Sequence, residues 1–203
     1  MFEFSSYLEQ QNVKGDDALY VVEIGSVIWF CISDGAGGTG QGEKASRYIV
    51  EKFKEQTLIE GFDSPEDFEL FLRKIDMVLS RESHGGEATA IAGKILEGVV
   101  VGASVGDSEA WLFNLEYDYE LTAMKNIKPL LGSGSSIPIG FGPMNVERFM
   151  LLGSDGLFKY VKHKEIKFVL SSNTKAAQIA ELAKNETGKL QDDISAIYIS
   201  KKL

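Results

Sequence analysis

The run DALYVVEIGSVIWFCISDG, Asp17 to Gly35, constrains the fold more than any other stretch of the chain. Two short segments rich in β-branched and aromatic residues flank Gly25, so they read as a β-hairpin. A hairpin brings the start of its first strand and the end of its second to one edge of the sheet. Asp16 and Asp17 precede or open the first strand, and Asp34 closes the second, so the three carboxylates are predicted to meet.

Two amphipathic helices follow. GEKASRYIVEKFKEQ carries Ala45, Ile49 and Phe53 on one face, and SPEDFELFLRKIDMVLSR carries Phe68, Leu72, Ile75 and Leu79 after a Ser64-Pro65 start. EATAIAGKIL, GVVVGASV and EAWLFNLE then read as consecutive strands, with turns at Gly98 and at Gly106 to Ser108. A Gly/Ser-rich loop is expected over LLGSGSSIPIGFGP, and a strand over 147–152. VKHKEIKFVLSS and TKAAQIAELAKNE read as helices, and DISAIYIS as a closing strand. Strands come in hairpins and helices in pairs, which predicts antiparallel sheets with helices outside rather than an alternating parallel fold.

That order also decides the meaning of SDGAGGTGQG. It contains G-x-G-x-x-G at Gly35, Gly37 and Gly40. A dinucleotide-binding turn needs a parallel strand after its helix, with an acid about 20 residues beyond the glycines. Here a second helix follows, and GQGEKAS is no P-loop. The glycines are read as permitting a sharp turn beside Asp34.

The remaining acids follow the same logic. Asp155 stands after the strand ending at Leu152, and Asp192 stands before the last strand. If those strands are antiparallel neighbours, the two aspartates share an edge; Asp107 lies in a turn. Any one strand-end aspartate is explained by turn capping. The pattern of an apolar strand followed by Ser-Asp-Gly, however, occurs twice, at 33–35 and 154–156. Gathered carboxylates repel and take up protons unless cations bind. An oxygen-only cluster suits hard ions such as Mg²⁺ or Mn²⁺.

The net charge of −9 argues against a nucleic-acid partner. No apolar run is long enough for a membrane span, and the first residues lack a secretory signal pattern. The single cysteine, Cys31, sits in an apolar run and reads as a core residue. A cytoplasmic setting is expected.

Six blocks together resemble, in family order, the PPM or phosphatase 2C-like metal-dependent serine/threonine protein phosphatases. They are KGDDALYV, CISDGAGG, GGEATAIAG, VGASVGDSEAWLF, FMLLGSDGLFKYV and QDDISAIYI, and they span the chain. The resemblance implies an α+β fold, a four-layer α/β/β/α sandwich of two antiparallel sheets flanked by helix pairs. It implies one domain over residues 1–203, in a compact bacterial member of the family. It also implies hydrolysis of phosphoserine or phosphothreonine on proteins by a metal-activated hydroxide at a binuclear Mg²⁺/Mn²⁺ centre, with no phosphoenzyme.

Position by position, the resemblance makes Asp16 a metal ligand in place of the family glutamate, and Asp17 its neighbour outside the ligand set. Asp34 is the bridging ligand and the Gly35 carbonyl a further one. Asp155 and Asp192 complete the centre, and Asp107 matches the aspartate of a third, weaker ion. Asp34, Asp155 and Asp192 carry catalysis in this reading. The chain departs from the pattern at Asn12, which stands where the family has a phosphate-binding arginine. Lys14 offers a charge nearby. Ala36 stands where many eukaryotic members have a histidine acid, and the flap between Thr122 and Gly132 is short. These departures define the alternative, a weakly active or inactive PPM-like module that binds or regulates. His84 and His163 match no motif, and Trp29 and Trp111 read as packing residues.

Overall fold

A computed structural model describes residues 1–11, 16–37, 41–59, 61–81, 86–114, 116–171 and 173–202. The expectations for Asn12, Lys14 and His84 fall outside them. In chain order the elements are β1 (Phe2–Glu9), β2 (Asp17–Ile24), β3 (Val27–Asp34), α1 (Gly42–Gln56), α2 (Pro65–Leu79), β4 (Ala90–Leu96), β5 (Val99–Val105), β6 (Glu109–Phe113), β7 (Asp118–Glu120), β8 (Ile139–Asn145), β9 (Phe149–Gly153), α3 (Asp155–Phe158), α4 (His163–Val169), α5 (Ala176–Ala180) and β10 (Ile194–Lys201). The strands form two antiparallel sheets, ordered β2-β3-β4-β5-β8 and β1-β10-β9-β6-β7.

The sandwich follows from strands that are apolar on both faces. Along β3, Ile28, Phe30 and Ile32 point between the sheets, where they join Ile91, Leu112, Met150, Leu152, Ile197 and Ile199. Trp29 and Cys31, on the opposite face, meet Ile49 and Phe53 of α1 and Phe68 and Leu72 of α2. The second sheet repeats the scheme, with Leu151, Ala196 and Tyr198 covered by Leu157, Ile166 and Ile179 of the C-terminal helices. Period-2 alternation thus feeds two cores at once, and the result is four layers. Cys31 is fully buried, as its apolar setting predicts. Among the described residues, no helix is long and apolar enough to cross a membrane.

The structure corrects the sequence reading in several places. Phe2–Glu9 is a strand, paired with β10 from Phe2↔Lys201 to Glu9↔Ile194. Phe2 and Phe4 pack against the core between the sheets, and that burial fixes an otherwise mixed segment. Consecutive strands β5 and β6 lie in different sheets, so the turn at Asp107 is a crossing between layers. The last part of the supposed Gly/Ser loop is β8, which pairs with β5. The expected C-terminal helices are shorter than their sequence patterns, covering 163–169 and 176–180. His163, which matched no motif, opens α4 with its side chain partly exposed. It stacks on Phe113 (centroids 5.0 Å apart), packs against Trp111 (4.5 Å) and hydrogen-bonds Asp118 (3.0 Å).

The chain entering β8 is held by a buried carboxylate. Asp76 of α2 accepts backbone N–H bonds from Gly132 (2.7 Å), Gly134 (2.9 Å) and Ser136 (2.9 Å). Replacing it removes the one carboxylate that three N–H groups share. Asp76→Ala is expected to lower the free energy of unfolding by about 3 kcal/mol, read from urea midpoints at constant m-value.

Candidate metal centre

The hairpin edge forms as its sequence dictates. Asp17 and Asp34 are direct register partners at the end of the β2–β3 ladder, and the Gly35 N–H donates to the Asp16 carbonyl (3.0 Å). In the other sheet, Gly153 of β9 opposes Ala196 of β10. The Ser154 N–H donates to the Ser195 carbonyl (3.0 Å), and the Ser154 hydroxyl accepts from the Ser195 N–H (3.1 Å). This pairing sets Asp155 and Asp192 at the same end of the sandwich, and the crossing turn adds Asp107. Asp16, Asp34, Asp107, Asp155 and Asp192 line one open cavity of about 380 Å³, together with Gly35, Ala36 and Thr89.

Two glycines are required by close packing here. A Cβ on Gly35 would collide with the Gly42 backbone at the start of α1, and one on Gly156 would collide with the Asp193 carbonyl. The Ser-Asp-Gly repeat therefore allows the backbone to pass tightly behind each aspartate.

Three side chains hold the acids in place. Thr89 Oγ1 accepts the Asp34 N–H (3.0 Å) and shares a hydrogen bond with the Ser108 hydroxyl (2.8 Å), coupling the Asp34 edge to the Asp107 turn. Thr89 also donates its N–H to the Asp34 carbonyl (2.8 Å), and its own carbonyl accepts the Ser33 hydroxyl (2.6 Å). Asp193 accepts the N–H groups of Gln11 and Asp16, both at 2.7 Å, and so ties β1 to β2.

The electrostatics are those of crowded, poorly solvated acids. Burial raises the Asp34 carboxyl far above the usual range, and the charges of Asp17 and Asp155 push it further. Burial also pushes Asp17 up to about 6. Ser154 and Ser195 lower it in part, yet neither Asp17 oxygen has a hydrogen-bond partner among the described residues. Asp155 is raised by burial and by Asp192 and Asp107, with Lys159 acting in the opposite direction. Asp16 is raised by burial, partly offset by the Glu43 backbone.

Among the described residues, no three acids converge tightly enough to enclose an ion as they stand. The donor set nonetheless fits divalent cations. It is all oxygen and short of positive charge, and the buried Asp17 carboxylate beside Asp34 adds negative charge behind it. Sequence reasoning missed three groups at this site. Asp193 was hidden beside Asp192, while Gln11 and Lys128 line the cavity from irregular segments that carry no periodic signal.

No family model matches the sequence, and neither does any curated protein. Solved structures do match. A bacterial serine phosphatase superposes with a TM-score of 0.83 at 22% identity, covering 100% of both chains. The serine/threonine phosphatase of S. agalactiae gives 0.84 at 17%, also with complete coverage of both. The catalytic domain of the serine/threonine protein phosphatase PstP, in complex with two manganese ions, gives 0.79 at 17%, covering 98% of this chain and 97% of that one. The fold is that of the PPM-type serine/threonine phosphatases. In this chain the segments that carry these aspartates line one rim, contributed by both sheets.

Proposed function

We propose that the chain is a metal-dependent protein serine/threonine phosphatase that hydrolyses phosphoserine or phosphothreonine. The observation that carries this reading is the convergence of Asp16, Asp34, Asp107, Asp155 and Asp192 on one cavity, within a fold shared with such phosphatases. Asp16, Asp34, Asp155, Asp192 and the Gly35 carbonyl would hold two Mg²⁺ or Mn²⁺ ions, with Asp107 serving a third, weaker one. The PstP complex with two manganese ions supports that stoichiometry. Bound divalent ions would supply Lewis-acid charge for the phosphoryl oxygens and for the attacking water.

The chain's own contribution is placement. Asp34 is fixed at both its backbone groups by Thr89, so the strand end that carries its carboxylate is held at the rim. Asp193 fixes the backbone of Asp16. Asp17 lies beside Asp34 on the neighbouring strand and is buried, so its charge would favour cation binding at the rim without itself facing solvent. Ala36, which lines the cavity, has no proton to offer the leaving oxygen.

Turnover of a phosphothreonine peptide should appear on addition of Mn²⁺, saturate, and disappear on chelation. Phosphate release across a Mn²⁺ titration measures this. No release at saturating metal would replace the enzyme with the binding-module reading, and equal release with and without metal would overturn the metal dependence.

A further inference from the structure

A phosphate entering this cavity meets six carboxylates, those of Asp16, Asp34, Asp107, Asp155, Asp192 and Asp193, whose repulsion a cation in the lining would help the ions to offset. The family's arginine position is Asn12. Among the described residues, the one cationic side chain lining the cavity is Lys128. It takes part in none of the ion pairs among the described residues. The side chain is exposed, so its charge is available to a ligand.

Its backbone is pinned on both sides against the acidic rim. Two residues earlier, the Asn126 carbonyl accepts the N–H of Gly106, next to Asp107 (3.0 Å), and the Asn126 amide donates to the Ile137 carbonyl (3.2 Å). Three residues later, Leu131 exchanges hydrogen bonds with Ala88 (3.0 and 3.1 Å), which is itself bridged to Gly35. Leu130, between Lys128 and that anchor, is buried and lines the same cavity. The short 122–132 segment is therefore stapled across the site, from the Asp107 turn to the Asp34 edge, with Lys128 at its mouth.

We propose that Lys128 is the phosphate-binding cation of this site, taking the part that Asn12, by its chemistry, cannot play. This rests on the phosphatase reading for its physiological ligand, a phosphorylated serine or threonine. An ammonium is a compact point charge that can meet a phosphoryl oxygen from any direction, which suits an exposed side chain at a cavity mouth. Its contact is charge-assisted, so its loss should be visible in affinity.

The test compares wild type, Lys128→Ala, Lys128→Arg and Lys14→Ala, all loaded with Mn²⁺. Calorimetry measures inorganic phosphate binding, and steady-state kinetics measures KM for a phosphothreonine peptide. Lys128→Ala should weaken phosphate binding and raise KM by roughly 10- to 100-fold, with Lys128→Arg recovering most of the loss. Lys128 is exposed, so circular dichroism should show all four proteins equally folded. Equal phosphate affinity in wild type and Lys128→Ala, no phosphate binding by wild type, or a loss confined to Lys14→Ala overturns the assignment. Absence of turnover in wild type would count against the phosphatase reading instead, and the calorimetric comparison would still decide the role of Lys128.

Discussion

Asp34→Asn is expected to cut turnover of a phosphothreonine peptide by roughly 10³-fold, about 4 kcal/mol of barrier. Asp34 is the acid that the fold places at the centre. It opposes Asp17 in the ladder, it feels the charges of Asp17, Asp155 and Asp192, and Thr89 locks its backbone. The amide is nearly isosteric, so the Thr89 contacts and the core should persist. Only the charge is removed, and with it the attraction for a divalent ion. Initial rates at saturating Mn²⁺ measure the loss. A decrease under about tenfold, worth less than 1.4 kcal/mol, would place the reaction elsewhere.

The second large effect appears in metal-free protein as a function of pH. Asp17 and Asp34 have folded-state pKa values raised by burial, and in Asp34 also by neighbouring charge. A carboxyl raised on folding binds its proton more tightly in the native state than in the unfolded chain. Below the unfolded value, near pH 4, both states are protonated and there is no penalty. Between the unfolded and the folded values the native state keeps a proton that the unfolded chain has released, so stability falls as pH rises and levels off above the folded value. For Asp17, pushed up to about 6, the loss between pH 4 and pH 7 is about 3 kcal/mol. Asp34 extends the loss to higher pH. Chelated protein should therefore be more stable at pH 5 than at pH 7, the reverse of ordinary acid lability. Mn²⁺ should restore stability at pH 7, and Asp34→Asn should flatten the profile without metal. Urea midpoints at four pH values in chelator would show it, and a flat wild-type profile would mean that these acids are solvated.

The parts of this site that were legible in sequence are those set by local geometry. Gly25 between two β-branched runs is enough to bring Asp17 against Asp34, and the ladder confirms the pairing residue for residue. The antiparallel contact of β9 with β10, posed as a condition for Asp155 and Asp192 to share an edge, is met. What was not legible depends on partners far along the chain. β1 is a strand because β10, some 190 residues away, offers it an edge and a core. β6 leaves the sheet of β5 with no local mark beyond the turn at Gly106, whose positive φ sits against Thr89. Lys128 lies on an exposed, irregular segment, where neither periodicity nor motif distinguishes a ligand-facing lysine from a solvated one. His163 looked unremarkable for the same reason, because its aromatic and carboxylate partners come from β6 and β7.

Whether the rim aspartates form a divalent-cation site can be read from anomalous scattering by crystals grown with Mn²⁺. Two strong manganese peaks are expected in the cavity lined by Asp16, Asp34, Asp155 and Asp192, both lost in Asp34→Asn. Manganese bound only outside that cavity, or peaks unchanged in the Asp34→Asn protein, would contradict that assignment.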